Sequence, residues 1–336
     1  MKRGRRKSNK DWALSHKNRI PTVAPASSVA PPPPPWIELP EDLTANILQR
    51  LGAKEILESA EKVCSTWRRV CKNPSTWHVI DLDYRRCEDG EEFDAICHCA
   101  VDRSQGQLVE LKLTSMEEDY GFLNYVADRS SQLRCLTLVG FYRKNDMETD
   151  LTDAIRKLPQ LEELHLIRMP EVETEQLETI GVSCPMLKSF TYHEHWGEHS
   201  DLEDNAGGES FAVECGVAIG KTMPNLRHLR LWTQWMKNEG LEAILNGCPR
   251  LESLDLRSCY GLDLEGALGK RCSDRIKHLR LPSDSTSDID LLIDDPEEYD
   301  GYCGLLNSGK FNVSDAFVVD FFGHDGCGEY DGYFYF

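Results

Sequence analysis

A short apolar figure, Leu-x-x-Leu-x-Leu, recurs along the chain. It is carried by QLVELKL (107–113), QLRCLTL (132–138), QLEELHL (160–166), MLKSFTY (186–192), NLRHLRL (225–231), RLESLDL (250–256) and RIKHLRL (275–281), with TWHVIDL (76–82) as a degenerate first copy. From Leu108 onward the first apolar positions lie 25, 28, 26, 39, 25 and 25 residues apart. Alternation inside each copy predicts a short strand. The stretches between copies carry helical spacing instead. In GLEAILNGCPRL (240–251), Leu241, Ile244 and Leu245 fall on one side, and Gly247 and Pro249 end the helix. QLETIGVSCPML (176–187) repeats that design with Cys184-Pro185, and AIRKLPQL (154–161) and AIGKTMPNL (218–226) are variants. One strand and its return helix cannot bury their own leucines, but stacked neighbours can. The predicted fold is therefore an α/β solenoid, a curved array of parallel strands backed on the outside by helices, with about seven to eight repeats. It is expected over 83–282, and the long interval after Tyr192 holds an insertion.

Residues 36–82 follow a different rhythm. Pro40 opens a helix, where its missing N–H costs nothing, and Glu41 and Asp42 suit the positive end of the helix dipole. Leu43, Ile47, Leu48 and Leu51 are predicted on one face of that helix, and Gly52 stops it. A second apolar set is Ile56, Leu57, Ala60 and Val63; a third is Trp67, Val70 and Cys71, ended by Pro74 and closed by Trp77. Three short helices of this kind carry wider apolar faces than they can cover for one another. Either the rest of the chain or the helices of another protein completes them.

Read in order, LPEDLTANILQRL, VCSTWRRV and PSTW resemble an F-box. With the array that follows, its Cys-Pro turns and SLDLRSC, residues 36–282 resemble the plant F-box/LRR-repeat family of Skp-interacting proteins. The resemblance implies a substrate receptor of an SCF (Skp–cullin–F-box) ubiquitin ligase, joined through a Skp adaptor to a cullin and a RING subunit. It places adaptor contacts at Leu39, Pro40, Leu43, Ile47, Leu48, Leu51, Val63, Cys64, Trp67 and Arg68. The pattern does not separate residues that meet the adaptor from residues that hold the three helices together.

Charge refines this picture. The net charge is −19, unevenly spread. The head is basic, with Lys2, Arg3, Arg5, Arg6 and Lys7 close together, either a nuclear import signal or a disordered basic tip. APASSVAPPPPP (24–35) reads as an extended proline spacer, so 1–35 is expected to be disordered. From Ser283 on, thirteen acidic residues face Lys310 alone, and 283–336 is expected to be an acidic, partly disordered tail; its aromatic end is a candidate extra strand on the open sheet edge. The body of the chain is thus a poor match for nucleic acid. No apolar run approaches the ~20 residues that cross a bilayer, and no signal peptide is read at the start. Thirteen scattered cysteines without a Cys-x-x-Cys pair suit a reducing compartment, nucleus or cytoplasm.

Catalytic and cofactor motifs are absent from the sequence: no P-loop, no G-x-S-x-G, no H-E-x-x-H, no zinc-binding RING spacing. No cofactor and no metal are expected. His193, His195 and His199 in YHEHWGEH, and Cys97-His98-Cys99, are weighed as metal ligands and set aside as polar insertion and buried cysteine. The positions between the inner leucines point instead to a protein-binding face: Glu163, His165, Thr191, His193, His228, Arg230, Asp255, Arg257, His278 and Arg280, with Trp232 and Trp235 after one strand and Phe141 and Tyr142 after another. The expected function is that of a non-catalytic receptor that presents a protein target for ubiquitination. The rival readings are a non-degradative scaffold on the same adaptor, a small-molecule receptor, for which the arc is too shallow, and a GTPase-activating array, for which no arginine is marked.

Overall fold

Eight strands, each the Leu-x-Leu end of a repeat, line up in one sheet. They are β1 (Val79–Asp83), β2 (Glu110–Thr114), β3 (Cys135–Val139), β4 (Glu163–Met169), β5 (Ser189–Glu194), β6 (His228–Trp232), β7 (Ser253–Asp255) and β8 (His278–Arg280). The computed structural model describes residues 39–87, 89–114, 120–140, 151–169, 172–194, 205–233 and 236–286. Strand order follows chain order from β1 to β8, and every pair is parallel. The degenerate copy at 76–82 is a true member of the sheet: Ile80 pairs with Leu111 and Leu82 with Leu113.

The register explains the repeat. Leu111, Leu136, Leu164, Phe190, Leu229, Leu254 and Leu279 occupy one row across the strands. All but Leu279 are buried, because in each case a further repeat lies on both sides. Behind the sheet run α5 (Gly90–Ser104), α6 (Tyr120–Arg129), α7 (Leu151–Ile155), α8 (Thr174–Ser183), α9 (Asn205–Thr222), α10 (Asn238–Gly247) and α11 (Ala267–Arg275). The predicted stripe Leu241, Ile244 and Leu245 is buried. Full burial of such side chains is worth about 1.5–3 kcal/mol each, so the stacked rows supply the main stabilisation.

The loop entering each strand adds a second, polar spine. Backbone N–H groups of Arg134, Glu162, Lys188, Arg227, Glu252 and Lys277 each donate to the carbonyl of the matching residue one repeat earlier, at 2.7–3.0 Å. Their side chains alternate in sign where it counts. Glu162 sits between Arg134 (3.6 Å) and Lys188 (2.5 Å), and Glu252 between Arg227 (3.7 Å) and Lys277 (2.8 Å). The Cys-Pro cysteines serve the same stacking. Cys248 Sγ donates to the Met223 carbonyl at 3.4 Å, and Cys184 Sγ lies 3.8 Å from the Leu158 carbonyl.

One contact was invisible in the pattern. Gly247, expected only as a helix stop, is the last residue of α10 and lies against Gly220 of α9. A Cβ at Gly247 would stand 1.8 Å from the Gly220 carbonyl oxygen. Small residues let the two backbones approach where a side chain would hold them apart.

Before β1 come α1 (Glu41–Leu48), α2 (Ala53–Glu55), α3 (Glu61–Val63) and α4 (Ser65–Cys71). A π-helical turn, Ile56–Ala60, joins α2 to α3 in one continuous rod. Ile56 and Ala60, four residues apart on one side of that rod, are both buried. Pro74–Trp77 forms a 3-10 turn that locks the module to the first repeat. There the Trp77 indole donates to the Cys71 carbonyl at 2.7 Å, and the Thr76 hydroxyl to the Val70 carbonyl at 2.7 Å. Ion pairs Lys54–Glu92 (2.9 Å) and Arg103–Glu61 tie α2 and α3 to α5. No helix among the described residues is long and apolar enough to cross a membrane.

The basic head, the proline spacer, Trp36, Phe141, Tyr142, His195, His199, Trp235 and the tail from 287 on lie outside the described residues.

Candidate functional site: an open apolar stripe and the free face of the sheet

Helix α1 carries two apolar stripes where one face was expected. Thr44 and Leu48 point into the module and are buried. Leu43 and Ile47, one turn apart on α1, and Leu51, three residues past the end of the helix on which the pattern places it, are 51%, 47% and 39% exposed. The reason is geometric. Leu48 follows Ile47 by one residue, a rotation of about 100°, which carries it from the outer stripe to the core. The wide apolar face therefore divides into a sealing half and a free half.

The remaining positions divide in the same way. Val63, at the end of α3, is 52% exposed. Pro40 and Arg68 are exposed, and Leu39 and Cys64 are half-buried. Cys64 caps α4, its sulfur accepting the Trp67 N–H at 3.5 Å. Trp67 is half-buried and packs against the core, its indole N–H buried without a hydrogen-bond partner among the described residues. A surface ion pair joins Arg69 of α4 to Glu41 of α1. Arg69 was not singled out in the sequence, since an exposed arginine in a helix carries no pattern.

On the free face of the sheet the candidates part company. Arg230 and His165 are half-buried, and Glu163, His228, His278 and Arg280 are exposed. Five others are not available as a surface. Thr191, His193, Trp232, Asp255 and Arg257 are each 6% exposed or less. His193 and Trp232 sit side by side in register on β5 and β6, ring centroids 4.8 Å apart and edge to face. They occupy the last register position the two strands share, past the inner leucines, and the Arg257 guanidinium lies over the Trp232 ring at 5.8 Å. Arg257 follows β7 and forms a two-point ion pair with Asp255, at 3.0 and 2.7 Å. It also donates to the Ser285 carbonyl at 2.8 Å. Asp255 additionally holds Arg230 at 3.2 Å. These residues fasten the end of the array. Thr191, also buried, accepts or donates a hydrogen bond with His165 Nδ1 at 2.9 Å.

Cys135 joins the face although no pattern marked it. It stands in register between Glu110 and Glu163, and His165 lies diagonal to it. Burial, with the two glutamates, pushes its thiol up to about 11. Burial likewise holds the His165 imidazole below the usual histidine range, against the pull of Glu163 at 3.5 Å. Of the Cys97-His98-Cys99 run, which α5 does contain, Cys97 is buried. His98 stacks edge to face on Tyr125 at 4.3 Å.

Comparison with known proteins follows this division. A family model described as F-box-like matches residues 36–83. The chain is 44% identical over 258 residues to the putative F-box/LRR-repeat protein 23 of Arabidopsis thaliana, covering 74% of this chain and 54% of that protein. It is 41% identical over 263 residues to the putative F-box/LRR-repeat protein 22 of Arabidopsis thaliana, covering 78% of this chain and 81% of that one. Against the F-box protein SKIP19 of the same plant it is 39% identical over 299 residues, covering 84% and 93%. The chain thus spans about half the length of the first of these relatives (54%) and most of the other two.

Proposed function

The chain belongs to the F-box/LRR-repeat family, and from that premise we propose that it is the non-catalytic target receptor of a Skp–cullin–F-box ubiquitin ligase. Its helical module binds the Skp adaptor, through which cullin and RING subunit are reached. The free face of the array holds a protein target for ubiquitination and degradation. The observation that carries this reading is the free stripe Leu43, Ile47 and Leu51, with Val63 nearby in sequence order, on a module whose own core is already closed by Leu48, Ile56, Val70 and Trp77. A sealed core with apolar side chains left over is what a helix-in-groove partner requires. Leu39, Pro40, Cys64, Trp67 and Arg68 complete the proposed contact set, and Leu48 is assigned to the core instead. Positioning, which raises effective concentration at the conjugating enzyme, is the whole of the receptor's contribution to rate. The basic head is proposed to direct the receptor to the nucleus, with a cytoplasmic pool.

The test is adaptor capture. Leu43→Asp with Ile47→Asp places two charges in the stripe without touching the core. The pair is expected to abolish capture of a purified Skp adaptor while circular dichroism stays that of the wild type. Capture at wild-type strength by that folded variant refutes the reading.

A further inference from the structure

The free face carries one cluster whose chemistry protein recognition does not require. Cys135 Sγ, a Glu163 carboxylate oxygen and a ring nitrogen of His165 all lie within 4.8 Å of one another. We propose that these three side chains bind a zinc ion, with a fourth coordination position open to the free face of the sheet.

Thiolate, imidazole and carboxylate together form a donor set suited to zinc, which takes sulfur, nitrogen and oxygen in tetrahedral sites. Zinc–ligand bonds of about 2.0–2.3 Å place neighbouring donor atoms roughly 3.5 Å apart. His165 Nε2 and Glu163 Oε2 already stand at 3.5 Å. The remaining contraction is within the reach of side-chain rotation on a rigid sheet. The imidazole is also held as a metal-binding histidine is held. Its Nδ1 is hydrogen-bonded to Thr191 Oγ1 at 2.9 Å, which turns Nε2 toward Glu163. A hydrogen bond on the other ring nitrogen is the usual way a ligating histidine is oriented.

Register supplies the rest. Glu110 is paired with Cys135 on the side away from Glu163. Two glutamates thus flank the thiol, and their charge offsets that of a divalent ion. The cation nearest to hand, Arg230, is drawn away by Asp255 at 3.2 Å. On binding, the Cys135 thiol gives up its proton to solvent and the thiolate takes its place on the metal. Three protein ligands with one place left over describe a site that accepts water or a donor side chain of a bound protein.

Cobalt(II) is the probe, because its thiolate complexes absorb in the near ultraviolet and its tetrahedral complexes in the visible. The full chain, stripped with a chelator, is titrated with cobalt and then with zinc. Both bands are expected to appear at one equivalent and to vanish as zinc displaces cobalt. Cys135→Ser removes the thiolate band, and His165→Gln weakens binding at least tenfold. Cys99→Ser, a cysteine elsewhere on the chain, leaves both unchanged. Circular dichroism confirms that each variant is folded. An absence of bands in the wild type overturns the site, as do bands that persist in both Cys135→Ser and His165→Gln. Adaptor capture is unaffected by any of these variants, so this test stands or falls apart from the docking stripe.

Discussion

Two neighbouring residues on α1 test the division of its apolar face. Leu48 is fully buried, whereas Ile47 is 47% exposed. Truncating a buried leucine to alanine removes its transfer energy and leaves a cavity, at about 2–5 kcal/mol. Ile47→Ala removes a side chain that is already half in water. Its transfer loss is about half of the 1.5–3 kcal/mol for full burial. The better helix propensity of alanine returns some tenths of a kcal/mol, leaving a cost of about 1 kcal/mol or less. Urea unfolding followed by circular dichroism separates the two. With a slope near 3 kcal/mol/M for a chain of this size, Leu48→Ala should lower the midpoint by about 1 M, and Ile47→Ala by no more than about 0.3 M. The order reverses in adaptor affinity, where Ile47→Ala should cost more. Equal losses of stability would refute the division into a sealing and a free stripe.

Further outcomes follow from packing and charge. Gly247→Ala places a methyl group 1.8 Å from the Gly220 carbonyl oxygen and should cost several kcal/mol in thermal or urea melts. Gly266→Ala meets nothing within 4 Å and should be neutral. Asp255→Ala strips Arg257, itself 2% exposed, of its carboxylate partner and should destabilise by about 3–5 kcal/mol, more than Arg230→Ala. Burial pushes the Cys184 and Cys259 thiols up to about 12 and that of Cys248 up to about 11. Below the unfolded-state value near 8.5 both states are protonated and this contribution is intact. As pH rises from there toward the folded values, the unfolded chain alone ionises. Stability should then fall by as much as about 1.4 kcal/mol per pH unit for each such thiol, read as a dropping melting temperature between mild and strong alkali. Cys184→Ala and Cys248→Ala should flatten that slope.

The array was legible because its signal is redundant. Each Leu-x-Leu must align with its neighbours, so the row from Leu111 to Leu279 is written seven times in the sequence, and even Ile80 and Leu82 could be placed by spacing alone. The free apolar stripe was only half legible. Leu43, Ile47, Leu48 and Leu51 are all apolar, and hydropathy does not distinguish a leucine facing the core from one facing a partner. The rotation between Ile47 and Leu48, set by how α4 lies against α1, makes that choice. On the sheet, alternation carries no information about how far a side chain is exposed. His193, Trp232 and Arg257 follow the inner leucines, near the end of β5, at the end of β6 and just past β7, where they pack against one another. Cys135 was passed over because its neighbours Glu110 and Glu163 are tens of residues away and meet it only through register.

Hydrogen exchange of the full chain with and without a Skp adaptor tests the central claim most directly. The docking stripe predicts slowed exchange over Pro40–Leu51 and at the end of α3, with β4 to β8 unchanged. Protection confined to the sheet, or none anywhere while the adaptor is bound in excess, would contradict it.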